Sequence, residues 1–253
     1  MKAFWKKEWL AQLRTGKLLI LLLLFTAFGI MNPAVAKLTP WLLETMGDSL
    51  ASSGLIVTQV EITAMDAWAQ FFKNIPMALI VFVVLQGGIL TEECRSGSLV
   101  LSLSKGVKRW QVLCAKALTL ATLWTAGYWL CFAITYGYTA LYWDNTVAQN
   151  LLLSVALWWE LGLWTVALML LFSAWSAGNA GVLLGTGACF LASYLLGFFE
   201  KLGAWMPTRL MESHQLLYGL ETVTDYRTAC VVTAVLCILC VVIAVTVFNK
   251  RQF

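Results

Sequence analysis

Long apolar runs constrain this chain more than any other feature. A helix crossing the hydrocarbon core of a bilayer needs about twenty mostly apolar residues. Such runs recur at Leu18–Ala36, Ile75–Thr91, Ala117–Ala140, Leu151–Trp175, Ala180–Phe199 and Thr228–Phe248. Backbone N–H and C=O groups in lipid must be satisfied within the segment, so each run is predicted to be a helix. The expected fold class is an all-α membrane protein with six transmembrane helices. Composition agrees, because 60% of the 253 residues are apolar and 12% are charged. A water-soluble domain of this length could not cover so much apolar surface, the usual charged share being about 25%.

An even number of spans returns the chain to its starting side, and the lysines and arginines say which side that is. One side collects Lys2, Lys6, Lys7, Arg14, Lys17, Arg95, Lys105, Lys108, Arg109, Lys116, Lys250 and Arg251, twelve of the 17 basic residues. The other holds Lys37, Lys73, Lys201, Arg209 and Arg227, beside Glu44, Asp48, Glu61, Asp66, Asp144, Glu200, Glu212, Glu221 and Asp225. The basic side, with both termini, is predicted to be cytoplasmic. The net charge of +4 gives no reason to expect a nucleic-acid partner.

Two regions divide the chain. Residues 1–17 are predicted to form an amphipathic interfacial helix, since Trp5, Trp9 and Leu13 recur every fourth residue while most lysines lie elsewhere around it. This stretch is too polar for a cleavable signal peptide and is expected to stay on the mature protein. Residues 18–253 form the six-span domain. Its outer segment 37–74 carries helix-start signals at Thr39-Pro40 and at Thr63 with Asp66, so short helices on the membrane face are expected there. In the outer segment 200–227 the apolar stretches are too short to span, which predicts short helices dipping into the outer leaflet.

Between the second and third spans the chain turns polar for TEECRSGSLVLSLSKGVKRWQVLCAK. A solvated connector whose charge only fixes orientation would explain the basic residues. It would not explain the apolar run: Leu99, Val100, Leu101 and Leu103 outside the membrane need a surface to bury them, and a partner protein is the expected one. Gly97 permits a turn before this run and Gly106 breaks it.

The order Glu92-Glu93, Gly97-Ser98-Leu99, a following Leu-Ser pair, Arg109 and then a lysine opening the third span resembles the first cytoplasmic loop of type-2 ABC exporter permeases. In that family a short coupling helix in this loop docks on an ATPase subunit. An amino-terminal elbow helix, six spans and re-entrant helices between spans five and six also belong to that family, so the resemblance covers the whole chain. The chain is similar to small bacterial permeases, including bacteriocin-immunity and multidrug exporters. The resemblance implies a coupling loop over residues 92–116, with Glu92, Glu93, Gly97, Leu99, Leu101, Gly106 and Arg109 as docking residues. It also implies two ABC ATPase subunits carrying ATP and Mg, a second permease copy or paralogue, and a place in the bacterial cytoplasmic membrane.

The chain itself has no ATPase motif. A P-loop needs G-x-x-x-x-G-K-[ST] so that backbone N–H groups can cradle phosphates, yet the one Gly-Lys pair, Gly16-Lys17, has Ala11 at the first glycine position and Leu18 after the lysine. No cofactor or metal is expected on this chain, because His214 has no ligand partner at suitable spacing. With a lone histidine and no nucleophile motif, no catalytic residue is expected either. Most of the seven cysteines lie in apolar runs and read as small buried residues rather than a disulfide framework.

Inside the predicted spans there is one acid, Glu160, flanked by Trp158, Trp159 and Trp164. An ionisable group at that depth either reaches outward or pairs structurally, or else it serves substrate or gating. Trp159, Glu160 and Trp164 are therefore candidate pathway residues, and a proton- or ion-coupled carrier titrating Glu160 is the alternative to the exporter. Gly181 and Gly185 form a G-x-x-x-G pair suited to close helix packing.

Overall fold

The computed structural model describes residues 2–45, 61–99, 104, 106–176 and 178–250. Among these the protein is helical throughout, with six helices long and apolar enough to cross a membrane. They are Lys17–Thr45, Ala64–Gln86, Arg109–Tyr142, Leu151–Trp175, Asn179–Gly197 and Val223–Lys250. The first span packs on the second and third, and the fourth packs on the sixth, third and fifth. The fourth span is the centre of the bundle, whereas the fifth and sixth leave broad apolar faces uncovered, Leu184, Leu191 and Ile238 among them.

Several boundaries differ from expectation. The first span does not end at Ala36, and Thr39-Pro40 starts no new helix, because the helix continues through Pro33 and Pro40 to Thr45. A proline leaves the carbonyl four residues earlier without its amide partner. For Pro33 that carbonyl belongs to Gly29, and the Thr135 hydroxyl of the third span donates to it at 3.1 Å. Asn32 then donates to Thr135 Oγ1 at 3.1 Å and accepts from Asn74 Nδ2 at 2.8 Å, so one polar knot ties the first three spans together.

The Thr63 and Asp66 signal is used, but it opens the second span rather than a separate surface helix. The Thr63 N–H donates to Asp66 Oδ2 at 2.8 Å, and Ala64, Ala67, Trp68 and Phe71 are already buried in the opening turns. That span ends at Gln86 instead of Thr91. At Gly87 and Gly88 the chain turns tightly, since added Cβ atoms there would strike Asn179 and the Glu92 side chain. Of the outer segment 37–74, residues 46–60, Asp48 included, lie outside the described residues.

The ends of the spans gather into two groups. At one end the 3-10 turn Asn145–Val147 meets the second span, Asn145 accepting from Trp68 Nε1 at 3.1 Å. A second 3-10 helix, Pro207–Tyr218, follows a helical turn at Glu200–Gly203 and docks on the fourth span. Its contacts are reciprocal bonds between Ser154 and Ser213, and a bond from Trp158 Nε1 to the Met211 carbonyl at 3.1 Å. Arg209 pairs there with Glu212 and Glu221. The amino-terminal helix, the loop after the second span and the end of the sixth span form the opposite group.

Candidate functional site

At that opposite end the amino-terminal helix Lys2–Arg14 lies against the third span. The face it turns inward is a different one from the Trp5, Trp9 and Leu13 stripe expected to meet the membrane. Phe4, Glu8 and Gln12 are buried instead, while Trp5, Leu10 and Leu13 are exposed. The physical reason is that polar partners wait beneath. Gln12 and Gln86 exchange side-chain hydrogen bonds at 2.9 and 3.2 Å, which pins the helix to the end of the second span.

Glu8 meets Lys116, which is 1% exposed, at 3.1 Å. The same ammonium donates to the Ile89 carbonyl at 2.8 Å and forms an ion pair with Glu93 Oε2 at 3.0 Å. Glu93 also takes Lys7 at 3.0 Å, and Glu92 pairs with Lys17 at 3.2 Å nearer the solvent. One buried cation thus joins the amino-terminal helix, the turn after the second span and the start of the third. Burial pushes the Glu8 carboxyl above its ordinary value, and the Lys116 charge beside it offsets only part of that. Glu8 Oε1, Trp9 Nε1, Thr91 Oγ1 and Glu93 Oε2 are buried here without a hydrogen-bond partner among the described residues.

The expected docking residues fall around this clamp in different ways. Glu92 and Glu93 sit on a short helical turn, Thr91–Arg95, that follows the helix Ala64–Gln86. Gly97 and Gly106 hold φ of 69° and 86°, left-handed values that bracket the loop as turns. Leu99 corrects the expectation that it needs a partner surface: it is 0% exposed, inside the protein's own core. Leu101, with Val100, Leu103 and Lys105, lies outside the described residues, as does Arg251. Arg109 opens the third helix and donates to the Asn249 carbonyl at 3.0 Å, which ties the loop to the end of the sixth span.

The candidate pathway residues meet different neighbours. Trp159 donates to Thr125 on the third span at 3.1 Å. Trp164 is buried against Phe190 of the fifth span, ring centres 6.0 Å apart. Glu160 is half-buried beside the Cys230 thiol of the sixth, with no ion-pair partner among the described residues. Gly185 lies against the Phe172 ring of the fourth span, where a Cβ would come within 2.4 Å, whereas a Cβ at Gly181 would meet Ser176 in the connecting turn.

Sequence reading passed over Glu8, Gln12 and Gln86 and gave Lys116 no partner. The signal was present as polar side chains at four-residue spacing on the first helix and a lysine at the head of an apolar run. Their pairing spans 108 positions for Glu8 and Lys116, which local pattern does not reveal.

Comparison with known proteins adds two findings. An uncharacterised transmembrane protein of Bacillus subtilis (strain 168), YxlG, is 23% identical over 231 residues, covering 87% of this chain and 86% of that protein. A model of the family described as ABC-2 family transporter protein matches residues 3–252, nearly the whole chain. The chain therefore belongs to the ABC-2 transporter family, as a multi-pass membrane subunit of an ABC transporter, a permease and not itself an ATPase.

Proposed function

We propose that this protein is the permease of an ATP-driven exporter. Two copies, or one copy and a paralogue, form the pathway, and two separate ABC ATPase subunits bind ATP and Mg beneath the loop 92–116. The observation that carries this reading is the Lys116 clamp. An ATPase working from outside the bilayer needs a stiff connection into the spans, and a buried, hydrogen-bonded ion pair resists displacement far more than an exposed one. A push on the turn at Glu92 and Glu93 reaches the third span through Lys116 and the sixth through Arg109.

The loop, the amino-terminal helix and both termini are assigned to the cytoplasmic side of a bacterial cell membrane, in line with the basic residues gathered there. The amino-terminal helix would rest its exposed Trp5 and Leu13 on the inner membrane surface as an elbow. Amphipathic peptides, drugs and lipids are the substrate classes that suit such a bundle. Leu101, rather than the core residue Leu99, is the residue to test.

Leu101→Asp should lower co-purification of the ATPase at least tenfold while the permease stays inserted. In inverted vesicles, uptake should require ATP and survive Glu160→Gln. Uptake that ignores ATP, follows an imposed proton gradient and is lost in Glu160→Gln would replace this reading with the proton-coupled carrier.

A further inference from the structure

A cavity of about 480 Å³ opens between the second, fourth and fifth spans. Leu79 and Val83 line one wall, Trp158 and Thr165 the base, and Thr186 and Gly187 the other wall. Tyr194 and Met211 stand at the end nearest the 3-10 helix. None of its lining residues carries a charge. The polar groups around it are mostly committed: Thr165 donates to the Leu161 carbonyl at 3.0 Å, and the Trp158 indole donates to Met211. Two hydroxyls have no hydrogen-bond partner among the described residues: that of Tyr194, whose side chain is exposed, and that of Thr186, which is 3% exposed. A helical threonine ordinarily returns its proton to the carbonyl one turn earlier, as Thr119, Thr139 and Thr233 do here. Thr186 does not.

We infer that this groove is a binding site for a small uncharged molecule, largely apolar, with one hydrogen-bonding group that pairs with Thr186. A charged ligand would lose its hydration with nothing to replace it. A plain hydrocarbon would leave the hydroxyl unmatched, which is costly in a dry site. The volume suits a drug-sized molecule, such sites holding about 300–1,000 Å³. Gly187 keeps the wall open, since a Cβ built there meets no atom within 4 Å. A larger residue at 187 therefore fills the groove without disturbing the bundle.

Benzophenone is a suitable probe because it is uncharged, carries one carbonyl acceptor and inserts into nearby C–H bonds under light. The permease alone, in lipid nanodiscs without ATPase or nucleotide, should be photolabelled on Leu79, Val83 or Phe190, as mapped by mass spectrometry. Thr186→Val, the same shape without the hydroxyl, should raise the half-saturating concentration about five- to tenfold. Diphenylmethane, which lacks the carbonyl, should compete equally well in both proteins. Gly187→Leu should abolish groove labelling with an unchanged size-exclusion profile.

Three outcomes overturn the inference. Labelling spread evenly over Leu184, Ile238 and other uncovered residues, indifferent to Gly187→Leu, means that bilayer lipid occupies the groove. Spontaneous disulfide-linked dimers of Gly187→Cys mean that a second copy covers it. An unchanged half-saturating concentration in Thr186→Val removes the assigned ligand class. Because no ATPase is present, none of these bears on whether the loop couples to one.

Discussion

Lys116 shows how much one residue can decide in a chain of this kind. Its ammonium is shut away from water, so its value lies in the hydrogen bonds it gives to Glu8 and the Ile89 carbonyl and in its charge beside Glu93. Lys116→Met should destabilise the protein by about 3–5 kcal/mol, because two carboxylates remain buried together without their cation. Adding Glu8→Gln should recover part of that loss, while Glu8→Gln alone should cost much less, since Lys116 keeps Glu93. Thermal unfolding followed by size-exclusion chromatography in detergent measures all three.

The same carboxyl makes a pH prediction. Burial raises Glu8 above its ordinary 4.5, so its protonated form is the one the fold favours. Its contribution is fully present below the unfolded value and is lost as pH rises through the raised one. The wild type should therefore gain stability relative to Glu8→Gln as pH falls from neutral through that window. A difference that stays constant with pH would show that Glu8 does not titrate there. Of these residues only Glu92 and Glu93 stood out in sequence, through an ordered motif; the clamp they join did not, because its members are separate in the chain.

At the scale of the element, the first span is the instructive case. Two prolines and a threonine read locally as a helix end, since proline removes a backbone bond and Thr-Pro favours a fresh start. The helix nevertheless continues, because Thr135 of the third span supplies a hydrogen to the carbonyl that Pro33 leaves bare. Thr135→Val should cost about 1–3 kcal/mol by leaving the Gly29 carbonyl and Asn32 short of partners in a nonaqueous core. Pro33→Ala in that background should restore the intrahelical bond and recover a measurable part, whereas independent sites would simply add. The same thermal assay on the four proteins of the cycle gives the coupling. The fourth span, by contrast, runs from Leu151 to Trp175 as read from sequence, bounded by an Asn150 in the left-handed region and an extended Ser176. Its limits are set by local signals, so no distant partner was needed to find them.

For the whole molecule, the structure brings together ends that the distribution of lysine and arginine assigns to one side: Lys7, Lys17 and Lys116 meet Glu8, Glu92 and Glu93, and Arg109 meets the end of the sixth span. In a cysteine-free background, Lys108→Cys should react with an impermeant maleimide only after cells are opened, and Leu220→Cys in intact cells. Reaction of both from outside would overturn the assigned sidedness. The number of spans, their approximate places and the polarity of the two ends follow from sequence alone, because hydrocarbon thickness fixes helix length and membrane insertion reads charge. Which polar side chains meet inside the bundle was decided only by tertiary structure. In a nonaqueous interior each buried polar group must find a partner wherever the packing offers one, and for Lys116, Thr135 and Gln86 that partner lies in another helix, far along the chain.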